Sequence, residues 1–456
     1  MDQVDAAIIG FGSAGKPLAL DLANAGFTVA VIERSSRMYG GSCVNTACLP
    51  SKMLVHAAAE SAFQGGEFPE RSERYEAAVD EKNAATARLR ERSRRALADN
   101  PRIELVDGEA SFADATHLVV STADGERRIE AARTFIDTGS VPALPDIPGA
   151  DGKRVYTSET LLDVKVLPER VVVVGAGYVG LEFASLFADF GVDVTVLQSG
   201  DELLPREDCD VARAVRENFE ARGIRLALGA HVKSIDDDVA QVLVVADIDG
   251  KEERIPGDFA LVATGRRPAT DVLNLSAAGV EVNEHGAVVT DEHLRTTAPN
   301  IWALGDATEA QQFTYVSYDD YRITASDVLG DGSRTRDDRG AVPSCIFANP
   351  PFARVGLTEQ DARDQGYDVA TAVLKAEDMP KAPLLGKQAL LMKAVVDSAT
   401  DRVLGVHLYC SDAPEIVNLA KLALDEGLTA ASLRGAVFTH PTLTEELNNL
   451  FAKVQK

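Results

Sequence analysis

The chain has 456 residues, a formal net charge of −25, and 45% hydrophobic and 26% charged residues. That length accommodates roughly two to four domains, each with its own core. The charge repels nucleic acid and anionic membrane, and no apolar run reaches the ~18 residues that cross a bilayer, so neither partner is expected.

The amino terminus, MDQVDAAIIG, carries acids where a secretory signal has Lys or Arg, which predicts a cytoplasmic protein. Val4 to Arg34 then reads as strand, glycine-rich turn, amphipathic helix and strand, with Gly10, Gly12 and Gly15 in the turn and Glu33 closing the second strand. GGSCVNTACLPSK, Gly40 to Lys52, follows with two of the five cysteines. A charged helical stretch from about residue 60 to 99 and several strands lead to Thr138-Gly139. The opening pattern recurs from Arg170 to Gly200, with Gly175, Gly177 and Gly180, and with Gln198 where the first copy has Glu33. Apolar strands end at Thr264-Gly265 and Gly305-Asp306. From about residue 341 the strand-like SCIFA, QALLMKAVVD and RVLGVHLYC alternate with helical PEIVNLAKLALDEG, and DSATDR reads as a hairpin turn.

A single G-x-G-x-x-G is a common turn, but two of them, each between a strand and a helix, predict two bound dinucleotides. The glycines allow a tight turn and close backbone approach, and the helix N-terminus accepts a pyrophosphate. Glu33 is placed to take a ribose hydroxyl of the first dinucleotide. Gln198 keeps the hydrogen bond without the charge that rejects a 2′-phosphate. The SGDELLP that follows adds Asp201 and Glu202 but no Arg or Lys to hold such a phosphate. NADH is therefore expected at the second site, with NADPH possible.

Five cysteines are too few for a disulfide framework, and a cytosolic pair is more often catalytic or metal-binding than a staple. Five residues of helix rise about 7.5 Å, beyond the ~4.4–6.8 Å between Cα atoms that a disulfide tolerates. Cys43 and Cys48 can therefore meet only across a distorted turn, which Pro50 favours by lacking a backbone donor. A disulfide held in such a turn is readily reduced. A zinc site needs two further ligands at matching spacing and none follow, so no metal is expected. The pair is read as redox-active. Lys52 shares a helical face with Cys48; so does His56, which is assigned a supporting or packing role. His440 sits in H-P-T-x-x-E, with Glu445 five residues on; a carboxylate on one ring nitrogen raises the basicity of the other. Cys345 and Cys410 are read as inert core residues and Cys209 as a surface-loop thiol.

In this order the glycine loops, C-x-x-x-x-C-x-P-S-K, A-T-G, G-D and HPTLTE resemble the flavin-dependent pyridine-nucleotide disulfide oxidoreductases over essentially the whole chain. The resemblance implies an α/β fold of two Rossmann-like dinucleotide-binding domains plus a C-terminal α+β dimerisation domain. FAD-binding parts would span residues 1–150 and 271–340, an inserted NAD(P)H-binding domain 151–270, and the dimerisation domain 341–456. FAD would lie on Gly10, Gly12, Gly15 and Glu33, with Asp306 on its ribityl chain and Gly139 and Gly265 where the chain leaves each nucleotide domain. NADH would lie on Gly175, Gly177, Gly180 and Gln198, with Tyr178 covering the flavin until nicotinamide displaces it. Electrons would pass from NADH through FAD to a Cys43–Cys48 disulfide, with Cys48 the flavin-proximal, charge-transfer thiolate and Cys43 the interchange thiol. Lys52, paired to Glu182, would sit beside the flavin N5. His440 and Glu445 would reach Cys43 from the partner subunit of an obligatory homodimer.

QQFTYVSYDDYRI, MYGGSC and FTHPTLTEELNNLF are similar to the reactive-chlorine-resistance flavoproteins, some of which are hypothiocyanous acid reductases, and more loosely to mercuric reductases. Ser42 and Thr46-Ala47 depart from the more usual Thr and Val-Gly without touching either sulfur. The resemblance implies an enzyme that reduces a small-molecule oxidant such as hypothiocyanous acid in oxidative-stress defence. Dihydrolipoamide dehydrogenase shares the named catalytic residues and is the alternative. A mercuric reductase usually carries a C-terminal cysteine pair, whereas this chain ends FAKVQK. A redox sensor with vestigial chemistry would lack a catalytic residue, and all six are present.

Overall fold

The computed structural model describes residues 2–238, 240–385 and 389–454. Ala6–Ile9, Val29–Glu33 and Val171 to Val174 are unbroken buried runs, the pattern of parallel strands covered on both faces. Ala6–Ile9 is the middle strand of a parallel five-stranded sheet, ordered Ile301–Ala303, Thr134–Ile136, Ala6–Ile9, Val29–Glu33, Ile103–Asp107. Arg170–Val174 is the middle strand of a second, ordered Val155–Thr157, Phe259–Val262, Arg170–Val174, Asp193–Leu197, Arg225–Ala227. Strand order reverses beside each middle strand. Both glycine loops therefore leave their sheets at a topological switch point, where open α/β sheets bind ligands. Because Ile301–Ala303 pairs with Thr134–Ile136, the chain returns to the first sheet after building the second.

The third large sheet is antiparallel: Ser344–Ile346, Phe352–Gly356, Val403–Cys410, Ala389–Asp397, Val369–Lys375. Its last two central strands form the hairpin turned by residues 398–402, and helix Ala413–Asp425 packs on it. The charged stretch after Glu60 is two helices, Cys48–Gln64 and Phe68–Ala98, parted at Gly65 and Gly66, whose φ angles of +68° and +97° a helix does not accommodate. Leu54, Tyr75, Phe187, Phe190, Phe352 and Tyr409 share one buried core. That core ties the helix pair and the second parallel sheet to the antiparallel sheet and so sets the walls of the cavity between them. Among the described residues no helix is long and apolar enough to cross a membrane.

Candidate active site

Helix Gly41–Asn45 stops before Thr46, and the next helix starts at Cys48. Thr46 (φ −138°, ψ 5°) and Ala47 (φ −137°, ψ −103°) lie outside the helical region. This break is the distorted turn that the Cys spacing requires. Pro50 falls in the first turn of the second helix, where a backbone N–H has no intrahelical acceptor anyway. It bars continuation from the preceding helix without weakening its own. The turn rests on the first glycine loop: a Cβ on Gly41 would stand 2.9 Å from the Gly12 Cα.

Cys43 and Cys48 are half-buried, unbridged thiols. Cys48 Sγ lies 3.2 Å from Thr314 Oγ1. The hydrogen bond from Cys43 draws the Cys48 thiol down to about 6 against the effect of burial, and Thr314 and Lys52 act in the same direction. The shared proton stays on Cys43, whose thiol is pushed up by its bond to Cys48 and by burial, with Thr314 and Lys16 opposing. Of the two thiols, Cys48 is the one whose ionised form these neighbours favour. Lys16 stands in the first turn of Gly15–Asn24, and nothing local in the sequence marks it as a neighbour of Cys43.

The structure brings Lys52 and Glu182 together. Lys52 Nζ donates to Glu182 Oε2 at 2.7 Å and lies 4.7 Å from the centre of the Phe347 ring. Glu182 is 8% exposed, and its other oxygen accepts the Phe347 N–H at 2.9 Å. Fixed from two sides, it holds the lysine ammonium at the cavity wall.

The two glycine loops superpose in their hydrogen bonding. Glu33 Oε2 accepts the Phe11 N–H at 3.1 Å, and Gln198 Oε1 accepts the Ala176 N–H at 3.1 Å, the matching position of the repeat. Gly10 and Gly175 both have φ +107°, open to glycine and strained for other residues. Gly12 and Gly15 face Asp137, a buried acid between the first parallel sheet and Thr138-Gly139, and the Gly15 N–H donates to Asp137 Oδ2 at 2.7 Å. Burial pushes Asp137 up to about 7, with Asp306 and Asp320 adding to it and the loop N–H groups opposing. Asp306 Oδ2 accepts the Ser140 hydroxyl at 2.7 Å.

One cavity of ≈1520 Å³ is lined by both loops, Cys43, Cys48, Lys52, Glu182, Tyr178, Gly139, Gly265 and Asp306. Pockets for one small ligand are typically about 300–1,000 Å³, so this one exceeds what a single small ligand needs. Thr46 Oγ1 and Thr138 Oγ1 are buried on its wall and find no hydrogen-bond partner among the described residues. A buried hydroxyl left unpaired is destabilising, and a bound polar cofactor would satisfy both. The residues fit FAD on the first loop and a nicotinamide dinucleotide on the second.

His440 Nδ1 lies 2.8 Å from Glu445 Oε1, and the ring is 74% exposed. Neither residue lines the cavity of its own chain. His56 does not support the cysteines; it is 76% exposed and faces Glu60 at 3.4 Å. Cys345 packs against the core of the antiparallel-sheet domain but is not enclosed by it. It lies on the edge strand of the antiparallel sheet and lines the cavity, while Cys410 is fully buried and Cys209 is exposed at the start of helix Cys209–Ala221.

Residues 4–320 match the family model for pyridine nucleotide-disulphide oxidoreductases, and residues 342–451 match the dimerisation domain of the same family. The chain is 42% identical over 456 residues, 100% of both proteins, to a probable pyridine nucleotide-disulfide oxidoreductase RclA of Escherichia coli K12. It is 34% identical to a mercuric reductase of Lysinibacillus sphaericus, covering 98% of this chain and 82% of that one. It superposes with a TM-score of 0.93, at 42% identity and with 100% of both chains covered, on the Cu(II) complex of the HOCl-induced flavoprotein disulfide reductase RclA from Escherichia coli. With both family models matched in order and the paired thiols on the same cavity as the two glycine loops, this chain belongs to the pyridine nucleotide-disulfide oxidoreductases, flavin-dependent enzymes that move electrons between a pyridine nucleotide and a disulfide.

Proposed function

We propose that this enzyme reduces a small electrophilic oxidant, hypothiocyanous acid being the example, with electrons from NADH, as a cytoplasmic homodimer. The placing of the thiol pair carries this reading: Cys43 and Cys48 lie on the wall of the cavity that both glycine loops line, with the Cys48 thiol drawn down by Cys43, Thr314 and Lys52 and the Cys43 thiol pushed up, so that Cys43 keeps its proton. An exposed imidazole already bonded to a carboxylate, His440 with Glu445, is suited to take that proton from a second copy of the chain. The Cys43 thiolate then attacks the sulfur of hypothiocyanous acid, forming an S–S bond and releasing the hydroxyl group as water with the proton from His440. The Cys48 thiolate attacks the Cys43 sulfur, thiocyanate leaves, and a Cys43–Cys48 disulfide forms. FAD held by Gly10, Gly12, Gly15, Glu33 and Asp306 would supply the electron relay that returns this disulfide to two thiols with the two electrons of NADH. Lys52, held by Glu182, keeps a positive charge where negative charge builds beside Cys48. Gly175, Gly177, Gly180 and Gln198 hold the nicotinamide dinucleotide, and Tyr178 covers the nicotinamide position between turnovers.

The test is anaerobic consumption of NADH and of NADPH with hypothiocyanite, lipoamide and Hg(II) offered separately, beside a Cys43→Ser control. Hypothiocyanite turnover with NADH preferred, falling at least about 100-fold in Cys43→Ser, is the expected result. Turnover of lipoamide alone would make the enzyme a dihydrolipoamide dehydrogenase, and turnover of Hg(II) alone a mercuric reductase.

A further inference from the structure

Tyr178 opens helix Tyr178–Asp189 directly after Gly177 and lines the cavity half-buried. Its hydroxyl stands 3.4 Å from Glu207 Oε1 and 3.2 Å from Ser344 Oγ. A phenol has one proton, so it serves one of these acceptors at a time. Glu207 belongs to the LLPRED segment, and its side chain is 2% exposed. Its second oxygen lies 2.9 Å from Nε of Arg354 on strand Phe352–Gly356. That N–H is not aimed at the oxygen, so Arg354 is a counter-ion and not a donor. Among the described residues, Tyr178 is thus the hydrogen-bond donor that reaches the Glu207 carboxyl.

We propose that Glu207 is a positioning residue for the nucleotide step: with Ser344 it anchors Tyr178 in the closed position, and NADH gains its place by displacing the Tyr178 hydroxyl from both. This rests on Tyr178 being the cover over the nicotinamide position. The anchor lies where the second parallel sheet meets the antiparallel sheet. Asp208 is its chain neighbour, His407 Nδ1 is 3.9 Å from Glu207 Oε2, Lys393 is 3.1 Å from Asp208, and Asp361 acts on Glu207 from helix Glu359–Asp364. Burial holds His407 down to about 3, so it is neutral and leaves Arg354 and Lys393 as the cations facing these acids. Burial pushes Glu207 up to about 7, with Arg354 and Tyr178 opposing and Asp208 and Asp361 reinforcing. Below that pH Glu207 is a neutral acid and above it a carboxylate. A charged acceptor holds a phenol more firmly than a neutral one, so the closed position gains as pH rises through about 7.

The test uses the FAD-loaded enzyme, its Tyr178→Phe and Glu207→Gln variants and the double variant. KM for NADH and the single-turnover rate of flavin bleaching by NADH are read from about pH 6 to about pH 8.5. Expected is a KM for NADH that rises about fivefold across this range in the wild type and stays flat in each variant. The double variant should match Tyr178→Phe alone, because Glu207→Gln only weakens, by removing the charge, a bond that Tyr178→Phe removes outright. Effects of the single changes that multiply in the double variant would overturn the Glu207 anchor while leaving the Tyr178 cover intact. A Tyr178→Phe variant with wild-type KM, bleaching rate and pH profile would remove the cover itself, and the anchor with it. Should Glu207→Gln not fold, the wild-type and Tyr178→Phe pH profiles still decide the matter, since identical profiles overturn the anchor.

Discussion

The two glycine loops share a sequence pattern, a backbone and a place in their sheets, yet different neighbours require their glycines. A Cβ on Gly10 would fall 2.2 Å from the Asp137 carbonyl oxygen, and one on Gly175 would fall 2.5 Å from that of Ala263, so the first glycine of each loop is bare for the same reason. The middle glycines differ. A Cβ on Gly12 would lie 2.5 Å from Asp137 Oδ2, whereas among the described residues nothing beyond its own chain neighbours comes within 4 Å of one on Gly177. The first loop is closed against its own protein by a buried acid, and the second is bare towards the cavity. A motif of this kind specifies a backbone path, and long-range neighbours decide which approach that path permits.

Exchanging the glycines is the harshest way to break this comparison. Gly12→Ala should lose flavin retention altogether and lower the melting temperature, since the new methyl meets the buried Asp137 carboxyl that the Gly15 N–H holds in place. Gly177→Ala should keep its yellow colour and its fold while KM for NADH rises about tenfold, because the methyl meets only the incoming dinucleotide. Flavin absorbance per protein, thermal melting and steady-state kinetics separate the two, and equal damage at both sites would show that the protein neighbours do not matter.

Asp137→Asn tests the closing acid with a smaller effect. Its folded-state value, raised to about 7 from the ordinary 3.8, means that the native protein binds the proton more tightly than the unfolded chain. Stability therefore falls as pH climbs from about 4 to about 7 and levels off above it. The variant should lack that slope and gain on the order of 3 kcal/mol over the wild type between pH 5 and pH 8 in urea unfolding of the holoenzyme. Parallel pH profiles for the two proteins would rule the effect out. The gentlest change, Gln198→Glu, copies the strand end of the first loop into the second. A carboxylate there should disfavour a 2′-phosphate and raise the NADH-over-NADPH ratio of kcat/KM about tenfold; an unchanged ratio would show that this side chain does not face the ribose.

What could be read in the sequence was contiguous. Each strand–turn–helix–strand unit spans a few tens of residues, and its glycines, its terminal Glu33 or Gln198 and its buried β-branched runs obey local rules of backbone and burial. The cysteine turn was legible for the same reason, since the C-x4-C spacing and Pro50 bear on a single break at Thr46 and Ala47. Cys345 misled because an apolar strand looks alike in sequence whether it lies inside a sheet or at its edge, and this one is an edge strand facing the cavity. His56 misled because sharing a helical face with Cys48 does not place a side chain in the same wall once the helix has run two turns outward.

The sequence by itself determined the two loops, the reactive turn and the residue types at each, because these depend on backbone freedom, side-chain volume and short-range hydrogen bonds. The tertiary structure alone decided that Asp137, distant in the chain, closes the first loop on Gly15, that Lys16 faces Cys43, and that Glu207 and Arg354 meet behind Tyr178. These contacts arise from strand order and from the packing of the antiparallel sheet against the second parallel sheet. Burial then multiplies their electrostatic consequences, as the lowered Cys48 and raised Asp137 and Glu207 show.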